Sequence, residues 1–200
     1  MNLRLRKARA SDVEVMRETI NAYAREDRML ERSSEFLLEN LRDFTVAQSG
    51  AVFAGCCAVH LLTADLAEIR SLAVPAAFEG RGIGSRLVRS CIAEARELGL
   101  RRVFALTLVP EFFEKCGFTV TSLAHLPEKS ASECPICPKR FACDEVTLVL
   151  HLDGTKPEPL GPGEPVGYTR LFLHLEPSPS DLSSPDSARS NRQGPPSPRR

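Results

Sequence analysis

The sequence carries no net charge: 26 Lys and Arg balance 26 Asp and Glu. That balance disfavours a wholesale nucleic-acid or membrane-surface role and leaves only local basic clusters open. It has no long apolar run either. The longest, AVFAGCCAVHLL at residues 51–62, is too short to span a bilayer. The start, MNLRLRKARASDVEVM, has no apolar core and no cleavage-like site, so no secretory signal is expected. Its arginines leave a transit peptide open. The alternation of Leu3 and Leu5 with Arg4 and Arg6 reads instead as a first strand. Seven cysteines is an odd number, and without an export signal they are expected as reduced thiols or ligands rather than disulfides. A soluble, cytoplasmic protein is the expectation.

What is present suffices for one core. Two hundred residues, 42% of them apolar, suggest one domain with a tail. Residues 1–152 read as strand, two helices, three strands, helix, strand, helix and two strands. Ser11 with Glu14 resembles a capping box ahead of a helix that carries Val13, Met16, Ile20 and Tyr23 on one face. Ser49-Gly50 is a hairpin turn. Ile83, Leu87, Cys91, Ile92, Ala95 and Leu98 recur at helical spacing, and Gly99 stops that helix. The order predicts an α/β (α+β) domain: a mixed central sheet with helices on both faces. A polar insertion with three cysteines falls at about 123–144. Residues 153–200 hold ten of the fifteen prolines and many serines, and read as a disordered tail. Within it GYTRLFLHLE could add an edge strand.

The stretch LAVPAAFEGRGIGSRLV holds Gly80, Gly82 and Gly84 between a strand-like and a helix-like run. No Gly-Lys-Ser/Thr follows, which excludes a P-loop, and Ser85 stands where a dinucleotide fingerprint wants its third glycine. What remains is a turn whose backbone N–H groups open toward an anion at a helix N-terminus. Arg81, Arg86 and Arg89 are near enough in sequence to neutralise further phosphates. A glycine-rich loop with no ligand is the alternative.

SLAVPAAFEGRGIGSRLV, the helix end EARELGL, the next strand and PEFFEKCGF resemble the GCN5-related N-acetyltransferase (GNAT) superfamily over residues 3–152. The resemblance implies acetyl-CoA as cosubstrate, with its pyrophosphate on the family's Gln/Arg-x-x-Gly-x-Gly/Ala loop. That loop falls on Glu79, Gly82 and Gly84, with Gly80, Arg81, Ile83 and Ser85 beside them. Glu79 departs from the usual Gln or Arg, and an acidic group there is unfavourable unless it points away. The resemblance also implies a splayed strand at EIRSLAV that pairs with the pantetheine arm through Leu72, Ala73 and Val74. Leu72 N–H would polarise the thioester carbonyl.

Glu68 opens that strand and is the candidate general base, acting through water. Its ordinary pKa of ~4.3 would have to rise by burial. An exposed strand-end carboxylate is the alternative. The family's Tyr-x-x-x-Gly-Phe acid is missing, because Phe113 stands in its place and becomes a core and cofactor-packing residue.

EIRSLAVPAAFEGRGIGSRLV, VFALTLVPEFFEKCGF and LPEKSASECPICPKRFACDEVTLVLHL together look like short bacterial amino-acid N-acetyltransferases of arginine biosynthesis, the N-acetylglutamate synthase-like proteins. This implies glutamate as acceptor. Two carboxylates ask for cationic partners, and Arg suits them. Arg70, two residues beyond Glu68 and so on the same sheet face, is the first candidate. Arg28 is the second, and Ser71 and Thr107 are candidate polar contacts. Another amino acid, a polyamine or a protein N-terminus remains an alternative acceptor, though a polyamine would want carboxylates. A non-catalytic acetyl-CoA-binding module is the rival from another class. The oligomeric state is open, with a homodimer among the alternatives.

Cys134-x2-Cys137-x5-Cys143 has ligand-like spacing for a structural zinc, with a fourth ligand from His125, Asp144 or His151. Three reduced cysteines packing a loop, or a redox role, are the other readings.

Overall fold

The computed structural model describes residues 3–167. Seven strands form one sheet: β1 (Leu3–Lys7), β2 (Phe44–Ser49), β3 (Val52–Leu61), β4 (Leu66–Ala73), β5 (Arg102–Thr107), β6 (Thr119–Val120) and β7 (Val146–His151). Their spatial order is β1-β2-β3-β4-β5-β7-β6. Hairpin-like neighbours pair antiparallel, and β4 with β5 is the parallel pair. A parallel pair needs a crossover, and α3 (Ile83–Glu97) supplies it.

Period-two alternation sorts the two faces. On one face Ala67 and Ile69 of β4 and Val103 and Ala105 of β5 pack against Ile83, Leu87, Val88, Cys91, Ile92 and Ala95 of α3. Those α3 residues recur at helical spacing, and a fully buried Leu or Ile contributes about 1.5–3 kcal/mol. That burial outweighs the lack of any side-chain cap at the helix start. Phe113 of α4 (Pro110–Glu114) and Phe118 join this core, ring edge to ring face at 5.4 Å. The opposite face takes Met16 and Ile20 of α1 (Val13–Arg25) and Leu37, from α2 (Ser34–Glu39). Further along it, Leu66, Phe104 and Val149 pack under Leu123, Leu126 and Cys134 of the insertion.

The element order agrees with the sequence reading, and the insertion adds a helix of its own, α5 (Pro127–Ser132). The start of α1 differs from the expected box. Ala10–Asp12 is a 3-10 turn, and Asp12, not Ser11, takes the Arg9 amide at 2.7 Å. Asp12 is fixed there by Arg6 from β1, so a tertiary ion pair overrides the local serine cap. Glu14 instead pairs with Arg17. Ser33 does cap α2, accepting from Phe36 N–H at 3.1 Å.

Residues 153–167 carry no helix or strand. Their far end is nonetheless tied down: Val166 accepts from Thr147 N–H at 2.9 Å and Pro165 from the Ser122 hydroxyl at 2.7 Å. The rest of the expected tail, 168–200, lies outside the described residues, as does almost all of the expected edge strand in GYTRLFLHLE.

Two local features shape the site. Parallel pairing of β4 with β5 stops at Glu68 and Phe104, so residues 69–73 have no partner on that side among the described residues. Between Arg70 and Ala73, β4 advances three residues while β3 advances two, from Ala58 to Cys56. The extra residue is a bulge, with Ser71 at φ +54°. It bends β4 away from β5. Gly55 of β3 lies across from it, and a Cβ there would come 2.9 Å from the Ala73 carbonyl oxygen. Only glycine lets β3 pass so close to the bulge.

Candidate active site

The split between β4 and β5 opens into a cleft of about 500 Å³. Its walls are the α1–α2 connection and the cysteine-bearing insertion. The predicted residues Glu68, Arg70, Ser71, Leu72, Thr107, Arg28 and Phe113 all line it, as do Cys134, Cys137 and Cys143.

Glu68 is 5% exposed, and its carboxylate is not alone. Lys129 Nζ, from α5, lies 2.8 Å from Glu68 Oε2 and 2.5 Å from Glu133 Oε2. Arg70 Nη1 sits 3.6 Å from Glu68 and 3.3 Å from Glu133. His60, paired with Glu68 across the β3–β4 ladder, reaches Glu133 at 3.5 Å and Asp43 at 2.8 Å. Burial works against the charge of Lys129, but the two carboxylates more than offset it and raise its pKa. His60 is likewise raised, by Asp43 first and Glu133 second. Glu133 is pushed far below the usual carboxylate range, chiefly by its hydrogen bond with His60.

The acceptor side holds a different balance. Arg32 stacks over Phe36 at 4.3 Å, and its Nε is buried without a hydrogen bond. Burial, then the nearby Arg70 charge, hold its pKa below the ordinary value. The buried Asn21 side chain clamps the Arg32 backbone through both its N–H, at 2.9 Å, and its carbonyl, at 3.0 Å. A guanidinium so placed and left short of counter-charge suits an anionic ligand. Arg28 lies over the Tyr23 ring at 4.4 Å and pairs with Glu26 at 3.1 Å. The Thr107 hydroxyl accepts from Val109 N–H at 3.1 Å and so shapes the end of β5.

The glycine turn adjoins this cleft. Gly82 takes a left-handed φ of +73° at the cap of α3, and Gly80 one of +70°. The first intrahelical bond runs from Arg86 N–H to the Gly82 carbonyl. The amides of Ile83, Gly84 and Ser85 therefore have no helical acceptor and face outward at the positive end of the dipole. A Cβ on Gly84 would meet Phe112 at 3.4 Å and Leu72 at 3.9 Å, so its bareness brings the turn close to the free edge of β4. Ala73 and Val74 continue that edge, and Arg81 lies 5.5 Å from the Phe78 ring. Glu79 is tied to α1. The Tyr23 hydroxyl lies 2.5 Å from its Oε1 and 2.6 Å from the Val74 carbonyl oxygen, sharing one proton between them. Burial first, then Glu79, push the Tyr23 pKa up to about 12.

The zinc clip expected from Cys134, Cys137 and Cys143 is not supported. Among the described residues no group of three or more His, Cys, Asp or Glu side chains is placed to hold a metal ion. Cys134 packs instead into the apolar cluster under the insertion, and burial pushes its thiol up to about 12, away from the thiolate a metal takes.

Cleft, free strand edge and a turn of outward-facing amides agree with what the comparisons with known proteins give. The chain belongs to the acetyltransferase (GNAT) family, whose model matches residues 10–118. It is an acetyl-CoA-dependent N-acetyltransferase. Among curated relatives, an uncharacterized N-acetyltransferase of Chlorobaculum tepidum is 42% identical over 148 residues, covering 74% of this chain and 96% of its own. The amino-acid acetyltransferase of Mycobacterium tuberculosis is 41% identical over 118 residues, 58% of this chain and 67% of that one. In structure the chain is similar to Rv2747 from Mycobacterium tuberculosis, solved with CoA: TM-score 0.66, 30% identity, 74% of this chain and 99% of that one. N-acetylglutamate synthase from Neisseria gonorrhoeae, complexed with coenzyme A and N-acetyl-glutamate, gives 0.69 at 28% identity over 76% of this chain. The match spans 35% of that longer enzyme.

Lys129, Glu133, His60, Arg32 and Asn21 were not among the residues singled out from sequence. Lys129 and Glu133 stand four apart in an insertion read as polar loop, and that i,i+4 spacing was the available signal.

Proposed function

We propose that the protein acetylates the α-amino group of an amino acid, L-glutamate, to give N-acetylglutamate as in arginine biosynthesis. The observation that carries this reading is Arg32, which lines the cleft and whose buried Nε has no hydrogen-bond partner. The names of the mycobacterial amino-acid acetyltransferase and of the gonococcal synthase with its N-acetyl-glutamate support it.

In this reading the amides of residues 83–85 hold the diphosphate of acetyl-CoA, and the edge of β4 from Leu72 to Val74 pairs with its pantetheine arm. Arg32 and Arg70 bind the acceptor's carboxylates, with Arg28 at the mouth, and Ser71 and Thr107 border the path between acceptor and cofactor. Holding both reactants in register supplies much of the rate. The amine lone pair attacks the thioester carbonyl carbon, polarised by Leu72 N–H. The C–S bond then breaks and sulfur keeps its electron pair. Phe113 has no proton to give, so the thiolate leaves unaided or protonated by water.

The test is thiol release from acetyl-CoA with glutamate and with a panel of amino acids, polyamines and peptides. Arg32→Ala and Arg70→Ala should raise KM for glutamate at least tenfold and leave KM for acetyl-CoA near wild type. Turnover that prefers a polyamine, or equal loss toward every amine, refutes the glutamate assignment. Acetyl-CoA binding without any turnover would support the non-catalytic module instead.

A further inference from the structure

The acceptor arrives as an ammonium, and its nitrogen cannot attack until a proton has left. Glu68 is the carboxylate expected for this from sequence, yet in the fold it is committed. Its Oε2 holds Lys129 at 2.8 Å and has Arg70 at 3.6 Å, behind a surface that is 5% exposed. A proton placed on it would weaken that pairing and leave the buried Lys129 ammonium to Glu133 alone.

A third carboxylate, besides Glu68 and Glu133, lines the same cleft. Glu145 directly precedes β7, whose first residue, Val146, pairs with Thr107 at the end of β5. It therefore stands where β5 diverges from β4, beside the expected thioester. Its backbone is held from behind. The chain at 165–167 returns against it so closely that a Cβ on Gly167 would lie 2.6 Å from the Glu145 carbonyl oxygen. Thr147 N–H bonds Val166 next to it at 2.9 Å. Its Oε2 lies 3.9 Å from the Cys143 thiol.

We infer that Glu145 is the general base that takes the proton from the acceptor's ammonium. The Glu145 carboxylate gains the first proton, the nitrogen keeps the lone pair, and that pair forms the new C–N bond; as the C–S bond breaks, the second nitrogen proton passes through water to the departing thiolate, and Glu145 then gives its proton to solvent. Net, one proton is released per acetyl transferred once the thiolate is protonated.

The surroundings match the task. Burial raises the Glu145 pKa first, and the Glu68 charge from β4 adds to it, as does Asp144. Lys129 from α5 and Lys139 from the insertion oppose them. The net is upward, toward the operating range a base requires. Glu68 thus acts on the reaction through Lys129 and through its charge on Glu145, as a positioning residue. The inference rests on the acceptor being an ammonium and not on its being glutamate.

The experiment is the pH profile of kcat and kcat/KM for wild type, Glu145→Gln, Glu145→Asp, Asp144→Asn and Glu68→Gln. It uses whichever amine of the panel the wild type turns over best. Glu145→Gln should lower kcat about 100-fold, the low end for loss of a positioned base. KM for acetyl-CoA should stay within about twofold, as expected for a group that acts only on proton removal. The acidic limb should vanish in Glu145→Gln and persist, displaced, in Glu145→Asp. Asp144→Asn should shift that limb downward and keep most of kcat. Loss of the limb in Glu68→Gln together with a normal limb in Glu145→Gln overturns the assignment. So does a Glu145→Gln enzyme within about threefold of wild-type kcat. A best amine other than glutamate would sink the substrate assignment and leave this comparison intact.

Discussion

Replacing Lys129 with methionine isolates the cost of the buried ion network. The substitution keeps most of the side chain's length and apolar stem and removes the charge. In the native protein the Lys129 and Glu68 side chains are 10% and 7% exposed. Deleting one member of such a pair leaves the other charge uncompensated, and breaking a buried pair typically costs about 3–5 kcal/mol. Arg70 remains 3.6 Å from Glu68 and softens the loss, which sets the expectation at the lower end, about 3 kcal/mol. For a domain of this size that is a fall in Tm of roughly 6–12 °C. The assay is urea unfolding at pH 7, where the midpoint should drop with an unchanged m value. The double variant Glu68→Gln/Lys129→Met should recover most of the loss, because neither charge is then stranded. A Lys129→Met protein within about 1 kcal/mol of wild type, the scale of a surface pair, would refute the reasoning.

Two further expectations follow from neighbouring contacts. Tyr23→Phe frees Glu79 to swing toward the phosphate turn, so KM for acetyl-CoA should rise about fivefold, one hydrogen bond's worth. Adding Glu79→Gln should reverse most of that, and an unchanged KM in Tyr23→Phe would count against the role given to the hydroxyl. The pKa of His60 is raised, so its pairing with Asp43 stabilises fully below an ordinary value of ~6.5 and fades as pH climbs through the raised one. Asp43→Asn should therefore lower Tm by about 2–4 °C at pH 6 and much less at pH 9. An equal drop at both would assign the loss to packing.

Much of this architecture is legible in residue spacing. The stripe from Ile83 to Ala95 dictates α3, and Gly80, Gly82 and Gly84 mark the turn before it because left-handed backbone and close approach both demand small residues. Glu68 and Arg70 share a face by strand parity alone. Other features depend on contacts distant in sequence. Lys129 meets Glu68 across 61 residues of chain, and no local pattern announces such a pairing. Asp12 displaces Ser11 as the cap because Arg6 reaches it from β1. The departure of Glu79 from the family pattern is resolved only by a tyrosine from α1. The cysteine spacing resembled a metal clip, yet burial of Cys134 among Leu66, Phe104 and Leu123 gives that thiol a packing role.

The helix α5 has a consequence for how such a protein diversifies. Lys129 and Glu133 enter the cleft from one excursion between β6 and β7, while the diphosphate grip sits in the β4–α3 turn. Exchanging that one excursion would retool the amine-facing wall and leave the handle for the thioester donor untouched. That freedom has a tether: any replacement must bring a cation of its own, or Glu68 falls back on Arg70, 3.6 Å away.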